Sequence, residues 1–240
     1  MTHGAPVLAA PLEAKDSSSS AGGPAPLQRV RVKICGLTTP ADAEAAIHAG
    51  ADALGFNTWS GSRRFLNLDQ ASDWIRGLPT FVTRVALCVN ASLEAASAFA
   101  RLPFIDVVQL HGDESPNFCQ QLADLSGRPL IRAVRLESFE QGANLALWGT
   151  RHVLIDAAVA GAYGGTGARL DLDLASRTVA HCKGLCITLA GGLDPDNVAE
   201  AVRRVRPYAV DVASGVESAP GRKDASKMRD FVQAVAGACV

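Results

Sequence analysis

The sequence predicts an α/β chain folded as a single (β/α)8 barrel of the TIM type, preceded by a disordered N-terminal tail. Three observations carry that expectation. From Arg29 onward a short β-branched run, a polar or Gly-containing turn and an Ala/Leu-rich amphipathic stretch follow one another eight times. Strands that alternate with helices imply a parallel sheet. Spread over residues 29–240, the units average roughly 26 residues, the small end of the range for such a barrel. The alternative is an open doubly wound sheet, but no G-x-G-x-x-G follows the first strand.

The strand candidates are VRVKIC (30–35), ADALGF (51–56), FVTRVALCV (81–89) and FIDVVQL (104–110). PLIRAVRL (129–136), HVLIDA (152–157), LCITLAG (185–191) and AVDVASG (209–215) complete the set. A helix is expected after each. The one from Pro40 to Ala49 sets Ala43, Ala46 and Ile47 on one face and stops at Gly50; another runs from Leu68 to Arg76. Ser92, Ser115 and Asp194 are candidate N-caps, and Pro195 falls where a first helical residue tolerates proline. Residues 1–28 are rich in Ala, Pro, Ser and Gly without periodicity and read as a disordered extension. Pro6 and Pro11 break any apolar signal core. The barrel domain then occupies 29–240.

Composition narrows the function. Of 240 residues 48% are hydrophobic and 20% charged, with 23 Lys and Arg against 24 Asp and Glu. A net charge of -1 argues against a nucleic-acid partner. No apolar run reaches the ~18 residues of a membrane span. The six cysteines, Cys35, Cys88, Cys119, Cys182, Cys186 and Cys239, form no CxxC pair and no zinc pattern, so no metal is expected. They read as reduced thiols in a cytoplasmic protein.

In a barrel, chemistry sits where strands end. That rule selects Cys35-Gly36, the segment from Asn57 to Arg64, Gln109-Leu110-His111-Gly112, Asp156, Ala190-Gly191-Gly192, Asp211 and Ser214-Gly215. Cys, His and Asp there suit acid–base work. Gly191-Gly192 before Asp194-Pro195, Ser214-Gly215, and Gly164-Gly165-Thr166-Gly167 could each cradle a phosphate with backbone N–H groups. Each could also be a plain tight turn.

These residues lie in an ordered set of motifs: VKICGLT (32–38), GADALGF (50–56), SRRF (62–65), VQLHGDE (108–114), LIDA (154–157), YGGTG (163–167), LAGGLDPDNV (189–198) and VDVASGVESAPGRKD (210–224). In content, spacing and order the chain from Val30 to the C-terminal helix resembles the phosphoribosylanthranilate isomerase family. The resemblance implies an Amadori rearrangement of a phosphosugar, without metal or organic cofactor. It implies Cys35 as general base and Asp156 as general acid, with Arg64 on the anthranilate carboxylate. It places phosphate contacts at Gly165, Gly192, Ser214 and Gly215, and His111 and Asp211 on the floor of the site. The expected partner is a small phosphosugar, and the expected state a monomer or homodimer.

A thiol base carries a cost, because an ordinary cysteine is only about 3% thiolate at pH 7, a penalty of roughly 2 kcal/mol. Lys33 lies two residues before Cys35, on the same strand face. It either lowers the thiol pKa or pairs with a neighbouring strand, with Asp211 the candidate; the two can coexist. The loop NTWSGSRRF departs from the family pattern at Ser60 and Phe65, and Ala168 to Leu172 at the basic and aromatic positions. The related histidine-pathway isomerases use Asp where Cys35 stands. Indole-glycerol phosphate synthases need a lysine constellation not found in this sequence. A phosphosugar-binding barrel without activity is the rival of another class.

Overall fold

The structure is a computed structural model and describes residues 29–157 and 170–238. The expected disordered tail, Gly164 to Gly167 and Cys239 lie outside the described residues. The strands are β1 (Arg31–Cys35), β2 (Ala53–Asn57), β3 (Thr83–Cys88), β4 (Val107–Leu110), β5 (Leu130–Leu136), β6 (His152–Ala157), β7 (Cys186–Leu189) and β8 (Ala209–Val212). They close into a barrel in chain order, β8 pairing back onto β1. All eight expected strands are present; β6 keeps its bounds, β2 is shifted to end at Asn57, and the others are trimmed at their ends.

The helices are α1 (Pro40–Ala49), α2 (Leu68–Arg76), α3 (Leu93–Arg101), α4 (Pro116–Ser126), α5 (Phe139–Ala143), α6 (Leu172–His181), α7 (Val198–Val205) and α8 (Ala225–Ala238). Ser92 and Ser115 cap α3 and α4 as expected, each accepting a backbone N–H three residues on. Asp194 differs. Its carboxylate accepts the N–H groups of Asp196 and Asn197, but α7 begins only at Val198. The aspartate therefore caps a separate turn ahead of the helix. α5 is a short helix followed by a 3-10 turn, Leu145–Trp148. Between β8 and α8 the chain makes a 3-10 turn, Ser214–Val216, and an antiparallel hairpin, β9 (Glu217–Ala219) and β10 (Arg222–Lys223). The alternating pattern had not announced that hairpin.

Strand alternation divides the interior in two. Outward residues such as Ile34, Leu54, Phe56, Ile155 and Val210 pack under the helices with Phe231 and Met228 of α8. Inward residues make only small apolar clusters, Cys35 with Leu87 and Val89, and Ala133 with Leu154 and Ala190. The rest of the inner wall includes buried Lys33, Gln109, Asp156, Thr188 and Asp211. Among the described residues no helix is long and apolar enough to cross a membrane. Cys35, Cys88, Cys119, Cys182 and Cys186 are free thiols.

A buried ion pair holds the loop after β4. Arg132 donates to Glu114 at 2.8 Å and to the carbonyls of Leu110 and Gly112 at 3.0 and 2.9 Å. Glu114 accepts the N–H groups of Asn90 and Gly112 at 2.8 and 2.9 Å. The guanidinium lies 4.4 Å from the Trp148 ring centroid. Glu114→Ala leaves that charge buried and unpaired. Urea denaturation should show a loss of about 3–5 kcal/mol; a loss under about 1 kcal/mol would mean that water reaches the guanidinium.

Candidate active site

A cavity of about 210 Å³ opens at the C-terminal ends of the strands. Cys35 reaches it from β1, Asn57, Trp59 and Arg64 from the end of β2 and its loop, and Leu87 from β3. His111 enters after β4, Asp156 from β6, Gly191 and Gly192 after β7, and Asp211 and Ser214 from β8 and the turn beyond it. The structure thus gathers Cys35, Arg64, His111, Asp156, Gly192, Asp211 and Ser214 around one space. Gly215 follows in the same 3-10 turn, and Gly165 lies outside the described residues.

Lys33 and Asp211 face each other across the β1–β8 pairing, and register makes them partners. Lys33 Nζ donates to Asp211 Oδ1 at 2.7 Å. Burial opposes the Lys33 charge, but the negative charges of Asp211 and Cys35 outweigh it and raise its pKa. The pairing of Lys33 with Asp211 is thus present, and Lys33 also acts on Cys35. Burial is the largest influence on Cys35 and raises its thiol pKa. Lys33 pulls it down, Asp211 pushes it up, and the net shift is upward. Space for the thiol comes from Gly55, its register partner on β2. A Cβ at Gly55 would stand 2.7 Å from Cys35 Sγ and 3.1 Å from Lys33 Nζ.

Across the pocket, Asp156 Oδ1 accepts the Ala157 N–H at 2.8 Å. Its Oδ2 lies 3.3 Å from His111 Nε2. The other ring nitrogen, Nδ1, is 3.0 Å from Gln109 Nε2.

Arg64 is more committed than expected. Its Nε and Nη2 donate to the two Glu217 oxygens at 2.7 and 2.8 Å. Lys223 Nζ donates to Glu217 Oε1 and to the Ala213 carbonyl, both at 2.9 Å. Burial would raise the Glu217 pKa, but its bonds to Arg64 and Lys223 hold it below the usual carboxylate range. Sequence reasoning singled out neither Glu217 nor Lys223. Both lie inside the ESAPGRKD part of a motif already noted, and a buried Glu followed six residues later by Lys was the available signal.

The glycine turns have the expected form. Gly191 and Gly192 take left-handed φ values of 91° and 63°, and their N–H groups meet no acceptor among the described residues. Gly215 lies so close to the loop after β7 that a Cβ there would stand 1.9 Å from the Leu193 carbonyl oxygen. The two loops are thereby packed backbone to backbone.

A barrel that brings a thiol and a carboxyl to one pocket is built for proton transfer. By fold and site it is an acid–base enzyme of the (β/α)8 class. Known proteins make that specific. The family profile described as N-(5'phosphoribosyl)anthranilate (PRA) isomerase matches residues 32–234. The N-(5'-phosphoribosyl)anthranilate isomerase of Magnetococcus marinus is 47% identical over 206 residues, 86% of this chain and 95% of its own. The phosphoribosyl anthranilate isomerase of Thermus thermophilus superposes with a TM-score of 0.78 at 35% identity, covering 87% of this chain and 99% of that one. A phosphoribosyl anthranilate isomerase in complex with reduced 1-(o-carboxyphenylamino)-1-deoxyribulose 5-phosphate gives a TM-score of 0.75 at 33% identity, covering 87% and 99%. The chain belongs to the N-(5'-phosphoribosyl)anthranilate isomerase family.

The charges around Cys35 make a titration prediction. Asp211 raises the thiol pKa and also holds the Lys33 ammonium. Asp211→Asn removes the opposing charge and frees Lys33 to turn to the sulfur. The Cys35 pKa should fall below its wild-type value, read as thiolate ultraviolet absorbance after subtracting a Cys35→Ser background. An unchanged value would mean that burial alone governs this thiol.

Proposed function

We propose that the chain catalyses the Amadori rearrangement of N-(5'-phosphoribosyl)anthranilate to 1-(2-carboxyphenylamino)-1-deoxyribulose 5-phosphate, the isomerisation of tryptophan biosynthesis. The observation that carries the reading is the meeting of Cys35 and Asp156 in one cavity, from strands three places apart around the closed ring.

Asp156 protonates the ribose ring oxygen, the C1–O bond breaks, and C1 becomes a protonated imine. That imine acidifies the C2 proton, which the Cys35 thiolate removes. The electron pair forms C1=C2 and the imine nitrogen becomes a neutral amine. In the last step C1 gains a proton, the C2 hydroxyl loses one, and the aminoketose results. C2 is oxidised as C1 is reduced within one molecule, and the groups outside the substrate only move protons, so no redox group or metal is called for.

Glu217 takes two nitrogens of Arg64, which leaves Nη1 for the anthranilate carboxylate. A guanidinium held on one edge presents its other edge with little entropy left to lose. Leu87, Val89 and Trp59 supply apolar surface beside Cys35. The backbone of Gly192, Ser214 and Gly215 takes the phosphate, together with Gly165. His111 and Asp211 face the sugar from the lining of the cavity. The enzyme works as a monomer or homodimer in the cytoplasm.

The test is turnover of N-(5'-phosphoribosyl)anthranilate by wild type, Cys35→Ala and Asp156→Asn. Wild type should turn over, and each variant should lose about a hundredfold or more. Turnover that survives both changes would overturn the acid–base assignment. A wild type that binds the product and does not turn over would make this a non-catalytic phosphosugar barrel.

A further inference from the structure

We propose that Gln109 is a positioning residue that fixes the tautomer of His111, so that His111 presents an N–H to Asp156 as that carboxyl loses its proton. The inference rests on the reading of Asp156 as the acid and adds a residue to it.

Gln109 is fully buried, on the inner face of β4. Its amide nitrogen lies 3.0 Å from His111 Nδ1. An amide N–H can only donate, so Nδ1 must carry a lone pair there. A neutral imidazole then keeps its proton on Nε2, which points at Asp156 Oδ2 3.3 Å away. That contact is long at rest and can shorten as charge develops on the carboxylate. The other oxygen already accepts the Ala157 N–H. Both oxygens of the acid therefore face donors suited to its charged form.

The reversed amide would do the opposite. Its oxygen would demand a proton on Nδ1 and turn the Nε2 lone pair toward Asp156, where it would compete with the sugar for the proton. The observed orientation strands Oε1, which has no hydrogen-bond partner among the described residues. An unpaired carbonyl oxygen is tolerated better than an unpaired N–H. Packing alone does not call for glutamine, since an apolar side chain would fill this place and strand nothing.

The test uses the full chain labelled with 15N-histidine, at about pH 8, where an ordinary histidine is neutral. His111 is assigned by its loss in His111→Asn. In wild type, Nδ1 should resonate as an unprotonated nitrogen and Nε2 as an N–H. Gln109→Met keeps the volume and removes the donor. Its melting temperature should not fall, its kcat should drop about ten- to a hundredfold with KM little changed, and the tautomer signature should blur. Gln109→Glu, which can only accept from a neutral ring, should move the proton to Nδ1. A wild-type spectrum with Nδ1 protonated would overturn the proposal, as would a Met variant with wild-type kcat. So would a Met variant that loses kcat and keeps the wild-type nitrogen signature, because glutamine would then act by packing. The underlying acid reading fails separately, through activity retained in Asp156→Asn, and leaves the nitrogen spectrum unaffected.

Discussion

The ion pair between Lys33 and Asp211 is the constraint around which the rest is arranged. A barrel of this class fills its interior with layers of branched aliphatic side chains. Here one layer holds an ammonium and a carboxylate 2.7 Å apart, both nearly out of contact with water. Leaving either charge alone in that position would cost about 3–5 kcal/mol. Their register partnership across β1 and β8 ties them together, and those are also the strands on which the barrel closes. The closing seam and the electrostatics of Cys35 are therefore one feature. The thiol sits one pleat above Lys33, so any change that slips β1 by one residue would turn both side chains out of the barrel.

A second network has the same logic at the rim. Glu217 joins Arg64 from the loop after β2 to Lys223 from the hairpin after β8. Lys227 of α8 donates to the Glu217 carbonyl at 2.9 Å. Glu217 thus fixes, through its carboxylate and its backbone carbonyl, the guanidinium of one loop to two segments that follow β8. The backbone contact between Gly215 and Leu193 joins the next pair of loops. Loops that would otherwise move independently are fastened to one another around the cavity, which keeps the polar groups of the site in place.

The strands and most helices were legible because each depends on local information: alternation, a capping serine, a terminal glycine. The residues that line the cavity were legible for the same reason, as residue types at strand ends within recognisable motifs. Asp194 shows the limit of that reasoning, since a cap motif specifies a turn and the helix behind it started later. Glu217 shows another. It meets Arg64 across 153 residues of chain, through a hairpin that follows no helical or strand period. Gln109 was placed at a strand end without a role, and only the fold brings its amide to a histidine two residues on. The loop holding Gly165 remains a sequence expectation.

Charge balance explains why a thiol suits this site. Around Cys35 stand Lys33, Lys223 and Arg64, all contributing to its electrostatics or its pocket, against the carboxylates of Asp211 and Glu217. Within this cluster three cations face two carboxylates, an excess of one positive charge. A carboxylate base in place of Cys35 would neutralise it permanently and compete with Asp211 for Lys33. Burial favours the neutral form of the Cys35 thiol, which leaves that charge in place. The same cations stand beside the sulfur, where Lys33 and Lys223 each pull its pKa down.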